Sequence, residues 1–414
     1  MPMRLAWEGS LVFRRVVISF AVILCLITNV LVFPALAAPN PDEYNVAAVA
    51  KIMDKTSVFD LKAKSTILID GVSGNVLLEK NSNEKLPVAS ITKIMSMLLI
   101  MEAIDQGKLN FEDKVPVSEH SYSMGGSQVY LKPGEEFTVT EMLKAVAIHS
   151  ANDATVALAE KISGSEDTFV AMMNEKAKSL GMKDTNFLDC TGLTDEGHYS
   201  SANDVALMSR ELVMKHPKIL DFTTIWLDKF RDGKFELANT NKLIRFYQGA
   251  NGLKTGFTSK AGFCLSAAAK RNNMQLISVV LGEPDTNTRF AEARKLLDYG
   301  FANFELTQVN KKGEAAGEVE VKKGLKTKVQ VVYGEDVNLL VNKGEKGKLT
   351  REIKLEESVT APVEQGQKLG EVIFKIDDRE IGKADVVAGS KVEKASFIRL
   401  FFRMILSWFG FGRK

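Results

Sequence analysis

The amino-acid sequence predicts an α+β fold with helices on an antiparallel sheet, then a small all-β sandwich domain and a C-terminal amphipathic helix. A strand–turn–strand pattern at 65–79 precedes a block of helical periodicity at 138–215. Two more strands flank a turn at 272–273, and a helix follows them. From residue 318 onward, short runs alternate apolar and charged residues between turns, which is typical of a β-rich domain.

The first hairpin and the first long helix lie close together in the chain. Ser65–Asp70 and Val76–Glu79 flank a glycine-containing turn and predict the hairpin. The helix predicted from Ser90 to Met101 is apolar nearly all round, which indicates burial in a core. Further helices are predicted at 138–148, 152–163, 166–180 and 202–215.

The end of the α+β domain is predicted to be a set of antiparallel strands closed by a helix. One strand begins near Gly252, and Phe263–Lys270 and Met274–Leu281 form a hairpin. A helix is predicted at Thr286–Asp298.

A shift to Lys, Gly and Glu around 311–317 predicts a domain boundary. The chain is therefore divided into a signal peptide at 1–38, an α+β domain at 39–310, a β-rich domain at 311–390 and an amphipathic helix at 391–414. The β-rich domain carries no recognisable chemical constellation in its sequence, so it is interpreted as structural or as a spacer.

The N-terminus has the composition of a secretory signal peptide. Arginines at 14 and 15 precede an apolar run from 16 to 33, and small residues follow. Cleavage is expected after Ala37 or Ala38, with an uncleaved signal-anchor helix as the alternative because the apolar run is long. Either alternative exports the rest of the chain.

The last helix combines a narrow polar stripe with an apolar, aromatic surface. The stripe consists of Ser396, Arg399, Arg403 and Ser407. The helix is short for a membrane span, and its arginines oppose spanning. The pattern favours a helix that lies in the membrane interface, with docking on its own domain or dimerisation as the alternatives.

Composition excludes several classes of function. A net charge of +2 over 414 residues gives no indication of nucleic-acid binding. Cys190 and Cys264, which follow the signal peptide, are expected to be buried thiols rather than a disulfide. The histidines lack metal-ligand spacing, so no metal or other cofactor is predicted, and lysine becomes the better candidate base.

Ser90 and Lys93 form the first candidate chemical pair. They are three residues apart at the start of a buried helix, so their side chains share one face. Burial lowers a lysine pKa and leaves a neutral amine, a general base, beside a nucleophilic hydroxyl. A second Ser-x-x-Lys, Ser82 to Lys85, lies in a polar stretch that is expected to be exposed, with a protonated lysine. This context selects Ser90.

Two further motifs supply partners for that pair. Ser150 and Asn152 bring a hydroxyl that can relay a proton and an amide that can hold a lysine and a carbonyl. Ser201-Ala202-Asn203 has the same pattern, and both stretches suit helix caps, so local chemistry does not separate them. Lys254-Thr255-Gly256 would bind an anionic terminus, although a lone tripeptide also fits an ordinary strand end.

In this order, Ser-x-x-Lys, Ser-x-Asn and Lys-Thr-Gly resemble the three motifs of penicillin-binding proteins and serine β-lactamases. The flanking sequence at 87–95, 150–154, 239–241 and 252–258 resembles the low-molecular-mass D-alanyl-D-alanine carboxypeptidases. The stretch 198–204 resembles a separate segment of that family, which makes Ser201 a structural cap. The resemblance covers nearly the whole mature chain and implies a β-lactamase/transpeptidase-like catalytic domain.

The resemblance implies catalytic roles for four residues. Ser90 would be the acyl-ester nucleophile and Lys93 its proton acceptor. Ser150 and Asn152 would assist proton transfer and hold the peptide.

Substrate binding would fall to the third motif. Lys254 and Thr255 would hold the carboxylate of the terminal D-Ala, with Gly256 beside them. The N–H groups of Ser90 and Phe257 would hold the oxyanion. Some relatives carry histidine at the Phe257 position. Because the oxyanion donor is the main-chain N–H, phenylalanine at this position is expected to adjust the level of activity and not to abolish it.

The expected function is removal of the terminal D-Ala from peptidoglycan pentapeptide stems at the outer face of the cytoplasmic membrane, with β-lactam antibiotics as inhibitors. The alternatives are a β-lactamase or a DD-endopeptidase that uses the same acyl-enzyme site. The class A β-lactamase pattern Glu-x-x-Leu-Asn does not occur between Ser150 and Lys254. A non-enzymatic surface scaffold would predict a broken motif, whereas all three are intact.

Overall fold

The computed structural model of the chain describes residues 60–194 and 196–408. The signal peptide predicted at 1–38 lies outside the described residues, as does the end of the amphipathic helix, 409–414.

The α+β domain begins with the predicted hairpin and ends with three antiparallel strands and a helix. Its strands are β1 (Ser65–Asp70), β2 (Val76–Lys80), β3 (Lys114–Pro116), β4 (Glu136–Thr138), β5 (Leu227–Phe230), β6 (Phe235–Ala238), β7 (Ala250–Thr258), β8 (Gly262–Arg271) and β9 (Met274–Glu283). Its helices are α1 (Lys93–Asp105), α2 (Glu119–Tyr122), α3 (Val139–Lys144), α4 (Asn152–Ser163), α5 (Glu166–Ser179), α6 (Ala202–Lys215), α7 (Leu220–Thr223), α8 (Leu243–Phe246) and α9 (Thr286–Asn303).

A five-stranded antiparallel sheet in the order β2-β1-β9-β8-β7 divides this domain into layers. Alternate residues of β1 face opposite sides. Ile67 and Ile69 join the core formed with α1, α4 and α6, while Leu68 joins the core beneath α9. The α+β prediction is confirmed, and the sheet is covered on both faces.

Helix α9 extends five residues beyond the predicted end at Asp298, to Asn303. Gly300 lies inside it, where a Cβ would come within 2.5 Å of Leu276 Cδ1. The glycine therefore allows close packing of α9 on β9 instead of ending the helix.

Helix α1 is the central helix of the larger core. Ten of its side chains are buried, including Lys93 and Ser96. A 3-10 turn, Ala89–Thr92, precedes it and places Ser90 at the surface end of this buried helix. Strand β7 lies at the sheet edge next to that turn, so the edge strand and the turn form one corner of the domain.

The β-rich domain contains eight strands. They are β10 (Phe304–Asn310), β11 (Ala315–Lys322), β12 (Lys328–Tyr333), β13 (Val337–Asn342), β14 (Leu349–Leu355), β15 (Ser358–Thr360), β16 (Lys368–Ile376) and β17 (Arg379–Ala388). The pair β10-β13 packs on a six-stranded sheet, β14-β16-β17-β12-β11-β15, around one apolar core, as predicted for a sandwich. Strand β10 precedes the boundary predicted at 311 and pairs with β13.

The C-terminal helix α10 (Phe397–Trp408) follows this domain. Its Arg403 guanidinium donates to the carbonyl oxygens of Gly324 and Leu325, at 3.1 and 3.2 Å. Apolar side chains on the helix remain exposed, with Phe397 at 81% and Phe402 at 60%. Between residues 60 and 408, Asp195 aside, no helix has the length and hydropathy needed to cross a bilayer.

Leu98 lies fully buried in α1, so Leu98→Ala is expected to lower the free energy of unfolding by about 2–5 kcal/mol, because burial is lost and a cavity remains. Leu227→Ala is the matched control: this leucine is 51% exposed, and the expected change is within about 0.5 kcal/mol. Denaturant unfolding of the two variants measures the difference, and equal losses would contradict the assignment of α1 to the core.

Candidate active site

Ser90 lies in the 3-10 turn, one residue after Ala89, whose φ is +49°. This left-handed conformation is uncommon for a residue other than glycine and is held by packing against the rest of the core. Ser90 is partly exposed while Ala89 and Ile91 are buried, so the turn presents one hydroxyl at the edge of a rigid core. Its N–H belongs to the first helical turn, which has no intrahelical acceptor.

Lys93 is fully buried and directs its amine to three oxygens. Nζ lies 3.1 Å from Ser90 Oγ, 2.6 Å from Asn152 Oδ1 and 2.8 Å from the Thr191 carbonyl oxygen. Burial lowers the Lys93 pKa to about 8, although the carboxylates of Asp189 and Asp153 oppose the shift. A neutral amine has two N–H donors and one lone pair. With the amide and the carbonyl accepting both N–H bonds, the lone pair faces Ser90.

The second motif lies on an irregular connection between two helices. The helix predicted at 138–148 is α3 continued by a π-helical turn, Ala145–His149, and Ser150 follows with φ +67°. Asn152 opens α4, and its Nδ2 donates to the Gly125 carbonyl oxygen at 2.7 Å. After this break in helical geometry, the Asn152 side chain reaches Lys93, two residues beyond Ser150.

The third motif lies on the edge strand β7. Lys254 is buried, and its Nζ donates to the Thr255 carbonyl oxygen at 3.0 Å. Thr255 Oγ1 donates to Thr240 Oγ1 at 2.8 Å. Burial, and then repulsion from Lys93 and Arg289, hold the pKa of Lys254 well below its usual range. An anion bound here would offset that repulsion.

Gly256 is where β7 meets the Ser90 turn. A Cβ on this glycine would lie 2.6 Å from the Val88 carbonyl oxygen and 3.2 Å from the Ile91 backbone nitrogen. Close approach of the chain to itself therefore requires glycine here. The next side chain, Phe257, is 55% exposed and packs on Phe263, with ring centroids 4.3 Å apart.

Two contributors to the site were not predicted from the sequence. The first is the main-chain carbonyl of Thr191, which has no sequence signal because every residue has such a group. The second is Arg289 on α9, whose Nη1 donates to the Gly256 carbonyl oxygen at 3.2 Å. Its helical spacing from Ala293 and Leu296 puts an arginine on the buried face, and that pattern could have identified it. Burial lowers the Arg289 pKa to about 10, opposed by Cys264 and Glu283.

The two alternative motifs have other structural roles. Lys85 is exposed, 3.7 Å from Asp184, while Ser82 is buried and hydrogen-bonded to Glu79, contrary to its predicted exposure. Ser201 caps α6 by accepting the Asp204 N–H at 3.2 Å.

The two cysteines are free, buried thiols, as expected. Burial raises the pKa of both Cys190 and Cys264. They are therefore kept as thiols by the core and are poor nucleophiles.

The chain is similar to known proteins over most of its length. The D-alanyl-D-alanine carboxypeptidase family model matches residues 48–285, and a model for the C-terminal domain of penicillin-binding protein 5 matches 304–394. The chain belongs to the D-alanyl-D-alanine carboxypeptidase family. It is similar to D-alanyl-D-alanine carboxypeptidase DacF of Bacillus subtilis, with 48% identity over 358 residues, 86% of this chain and 92% of the relative.

Solved structures of penicillin-binding proteins share the fold. Penicillin-binding protein 5 from Haemophilus influenzae is similar with a TM-score of 0.74 and 33% identity, covering 81% of this chain and 99% of the other. Penicillin-binding protein D2 from Listeria monocytogenes in the ampicillin-bound form has a TM-score of 0.54 and 32% identity, covering 59% and 98%.

The pKa of Lys93 predicts how the reactivity of Ser90 depends on pH. Only the neutral amine can accept the serine proton, so the acylation rate should rise about tenfold per pH unit below about pH 8 and level off above it. Stopped-flow labelling by a fluorescent penicillin measures this profile. A flat profile between about pH 6 and about pH 9 would contradict the assignment of Lys93 as base.

Proposed function

We propose that the chain is a serine D-alanyl-D-alanine carboxypeptidase that removes the terminal D-Ala from peptidoglycan pentapeptide stems through an acyl-enzyme on Ser90. One observation carries this proposal: the buried Lys93 amine contacts Ser90 Oγ while Asn152 and Thr191 accept its two N–H bonds. The membership of the chain in the carboxypeptidase family supplies the substrate class.

Acylation follows from the positions of these groups. Ser90 Oγ attacks the carbonyl carbon of the penultimate D-Ala while Lys93 Nζ takes the hydroxyl proton. The carbonyl electrons move onto oxygen, and the N–H groups of Ser90 and Phe257 stabilise this oxyanion. When the oxyanion collapses, the C–N bond breaks, and the leaving amine takes a proton from Lys93 through the Ser150 hydroxyl.

Substrate binding uses the exposed edge of the sheet. A peptide backbone can pair with edge strand β7, which directs its C-terminal carboxylate toward Lys254 and Thr255. In the free site, burial and the positive charges of the Lys93 and Arg289 side chains disfavour the ammonium form of Lys254, and a bound carboxylate would favour it. This favours peptides with a free C-terminal carboxylate.

Deacylation reverses the proton transfers. Water attacks the ester carbonyl, Lys93 accepts its proton, and Ser90 leaves with a proton from the same amine. A β-lactam acylates Ser90 by the same first step. Its nitrogen then remains linked to the acyl group through the opened antibiotic, whereas the amine of a peptide substrate departs.

We also propose that the enzyme acts outside the cytoplasmic membrane, with α10 at the membrane surface. The signal sequence at 1–38 supports export. The exposed Phe397, Ile398 and Phe402 and the cationic residues near the C-terminus support insertion into the headgroup region of an anionic bilayer. The contact of Arg403 with the β-rich domain leaves those apolar side chains free to insert.

Ser90→Ala should abolish both D-Ala release from a pentapeptide and covalent penicillin labelling, because no other group can form the ester. Mass spectrometry of the peptide and of the protein measures both activities. Ser82→Ala is the matched control from the second Ser-x-x-Lys and should retain them. Retention of either activity by Ser90→Ala would contradict the assignment.

The unmodified chain also tests the two alternative functions. Release of penicilloate within seconds would favour a β-lactamase, and cleavage of cross-linked dimers would favour an endopeptidase.

A double variant, Phe401→Ser with Phe402→Ser, should reduce binding to vesicles of phosphatidylglycerol and phosphatidylethanolamine at least tenfold, because buried apolar area is lost. Vesicle sedimentation measures this change. Ile353→Ser, which removes a 39%-exposed isoleucine from the β-rich domain, is the control and should bind normally. Unchanged binding of the double variant would contradict the placement of α10 at the membrane.

A further inference from the structure

A short loop, residues 189–194, closes over the turn that carries Ser90; we call it the clamp loop. Its main chain touches the nucleophile segment at three successive residues. The Cys190 carbonyl oxygen accepts the Ser96 hydroxyl at 2.6 Å, and the Thr191 carbonyl oxygen accepts Lys93 Nζ at 2.8 Å. A Cβ on Gly192 would lie 1.9 Å from the Ala89 carbonyl oxygen. The position of the clamp-loop backbone therefore decides whether the Thr191 carbonyl oxygen can accept a hydrogen bond from Lys93.

The Asp189 carboxylate organises this backbone. Its Oδ1 accepts the N–H groups of Thr191 at 2.7 Å, Gly192 at 2.6 Å and Leu193 at 3.3 Å, and the Thr191 hydroxyl at 2.8 Å. Its Oδ2 accepts the N–H of Thr194 at 2.9 Å. Five donors converge on one side chain, so a single carboxylate fixes the path of the loop.

Gly192 limits the loop to this path. Its φ of +78° lies in the left-handed region, which glycine adopts without strain. The missing side chain also allows the loop to lie against Ala89. The clamp loop consequently has little freedom to supply the Thr191 carbonyl from another position.

We propose that Asp189 is a positioning residue for acylation: by gathering the N–H groups of the clamp loop, it holds the Thr191 carbonyl oxygen against Lys93 and so directs the amine lone pair to Ser90. This inference rests on the proposed function, because it concerns the acylation of Ser90. Asp189 acts through the loop and through its charge.

The charge of Asp189 has a second effect on the same amine. Burial raises the Asp189 pKa, but the His198 imidazole and hydrogen bonds from Thr194 and Thr191 outweigh it and lower the pKa to about 2. The carboxylate is therefore ionised at every working pH, and its negative charge opposes the fall in the Lys93 pKa that burial causes.

Other titratable groups face this pair from the neighbouring elements. Asp153 acts on Lys93 in the same direction as Asp189, Lys254 lies close enough to repel it, and burial keeps the nearby Cys190 as an uncharged thiol. The remaining neighbours are His198, with Nδ1 3.6 Å from Asp189 Oδ2, and Glu166, which accepts the Cys190 N–H at 3.0 Å and pairs with His120. Replacing Asp189 alone keeps all of these residues, although His198 loses its carboxylate neighbour.

Two substitutions separate the hydrogen bonds from the charge. Asp189→Asn keeps an oxygen acceptor for Thr191, Gly192 and Leu193 but removes the charge and the acceptor of the Thr194 N–H. Asp189→Ala removes the charge and both oxygen acceptors. Asp184→Asn is the matched control, because it neutralises a carboxylate that pairs with the exposed Lys85 instead.

The experiment measures covalent labelling of the full chain by a fluorescent penicillin across pH, resolved into the binding constant and the acylation rate constant. We expect Asp189→Ala to lower the plateau acylation constant at least tenfold with an unchanged binding constant. Asp189→Asn should keep the plateau within about threefold and move the acid limb about half to one unit lower, because the ammonium form of Lys93 loses a stabilising charge. The control should match the parent chain.

Three outcomes would overturn the proposal: an unchanged profile in both variants, an unshifted acid limb in Asp189→Asn, or a loss confined to the binding constant. If Asp189→Ala fails to fold, as judged by circular dichroism, the profile of Asp189→Asn decides alone. Failure of the proposed function is distinct, since the unmodified chain would then neither form an ester at Ser90 nor release D-Ala.

Discussion

The site depends on one buried amine. Removing the Lys93 ammonium from water is costly, and burial lowers its pKa to about 8 instead of leaving a permanent charge in the core. The three oxygens around Nζ come from three different elements: the Ser90 turn, the start of α4 and the clamp loop. A shift of any of them would leave a buried polar group without its partner. The packing of α1, α4 and the clamp loop is therefore also the geometry of the base.

A second constraint is the concentration of positive charge around β7. Lys254 and Arg289 are both buried beside this strand, and the pKa values of both are lowered. An anion bound here would favour the charged forms of these side chains, and a substrate that ends in a carboxylate supplies such an anion. The sheet supports this arrangement, because both of its faces are covered while β7 remains at its edge. The rigid layers hold the cations in place, and the edge leaves backbone groups available to a peptide.

Main-chain contacts do much of the positioning. Gly256 allows β7 to lie against the carbonyl of Val88, and Gly192 allows the clamp loop to lie against that of Ala89. These approaches place both the strand and the loop against the turn that carries Ser90. The two glycines therefore matter for steric reasons. Because Gly192 lets the clamp loop lie close to the Ser90 turn, the main-chain carbonyl of Thr191 can accept a hydrogen bond from Lys93.

The sequence by itself determined the layers of the fold, because helical and strand periodicities are local properties that burial must satisfy. It also determined the order of the three motifs and the choice of Ser90 over Ser82, since an apolar helix predicts a buried lysine. Only the tertiary structure decided how Asn152 reaches that lysine, after a π-helical turn that ends a predicted helix and precedes Ser150. It also revealed Thr191 and Arg289 as parts of the site. Their contributions come from a backbone carbonyl and from a helix distant in the chain, and such contacts form only when the chain is packed.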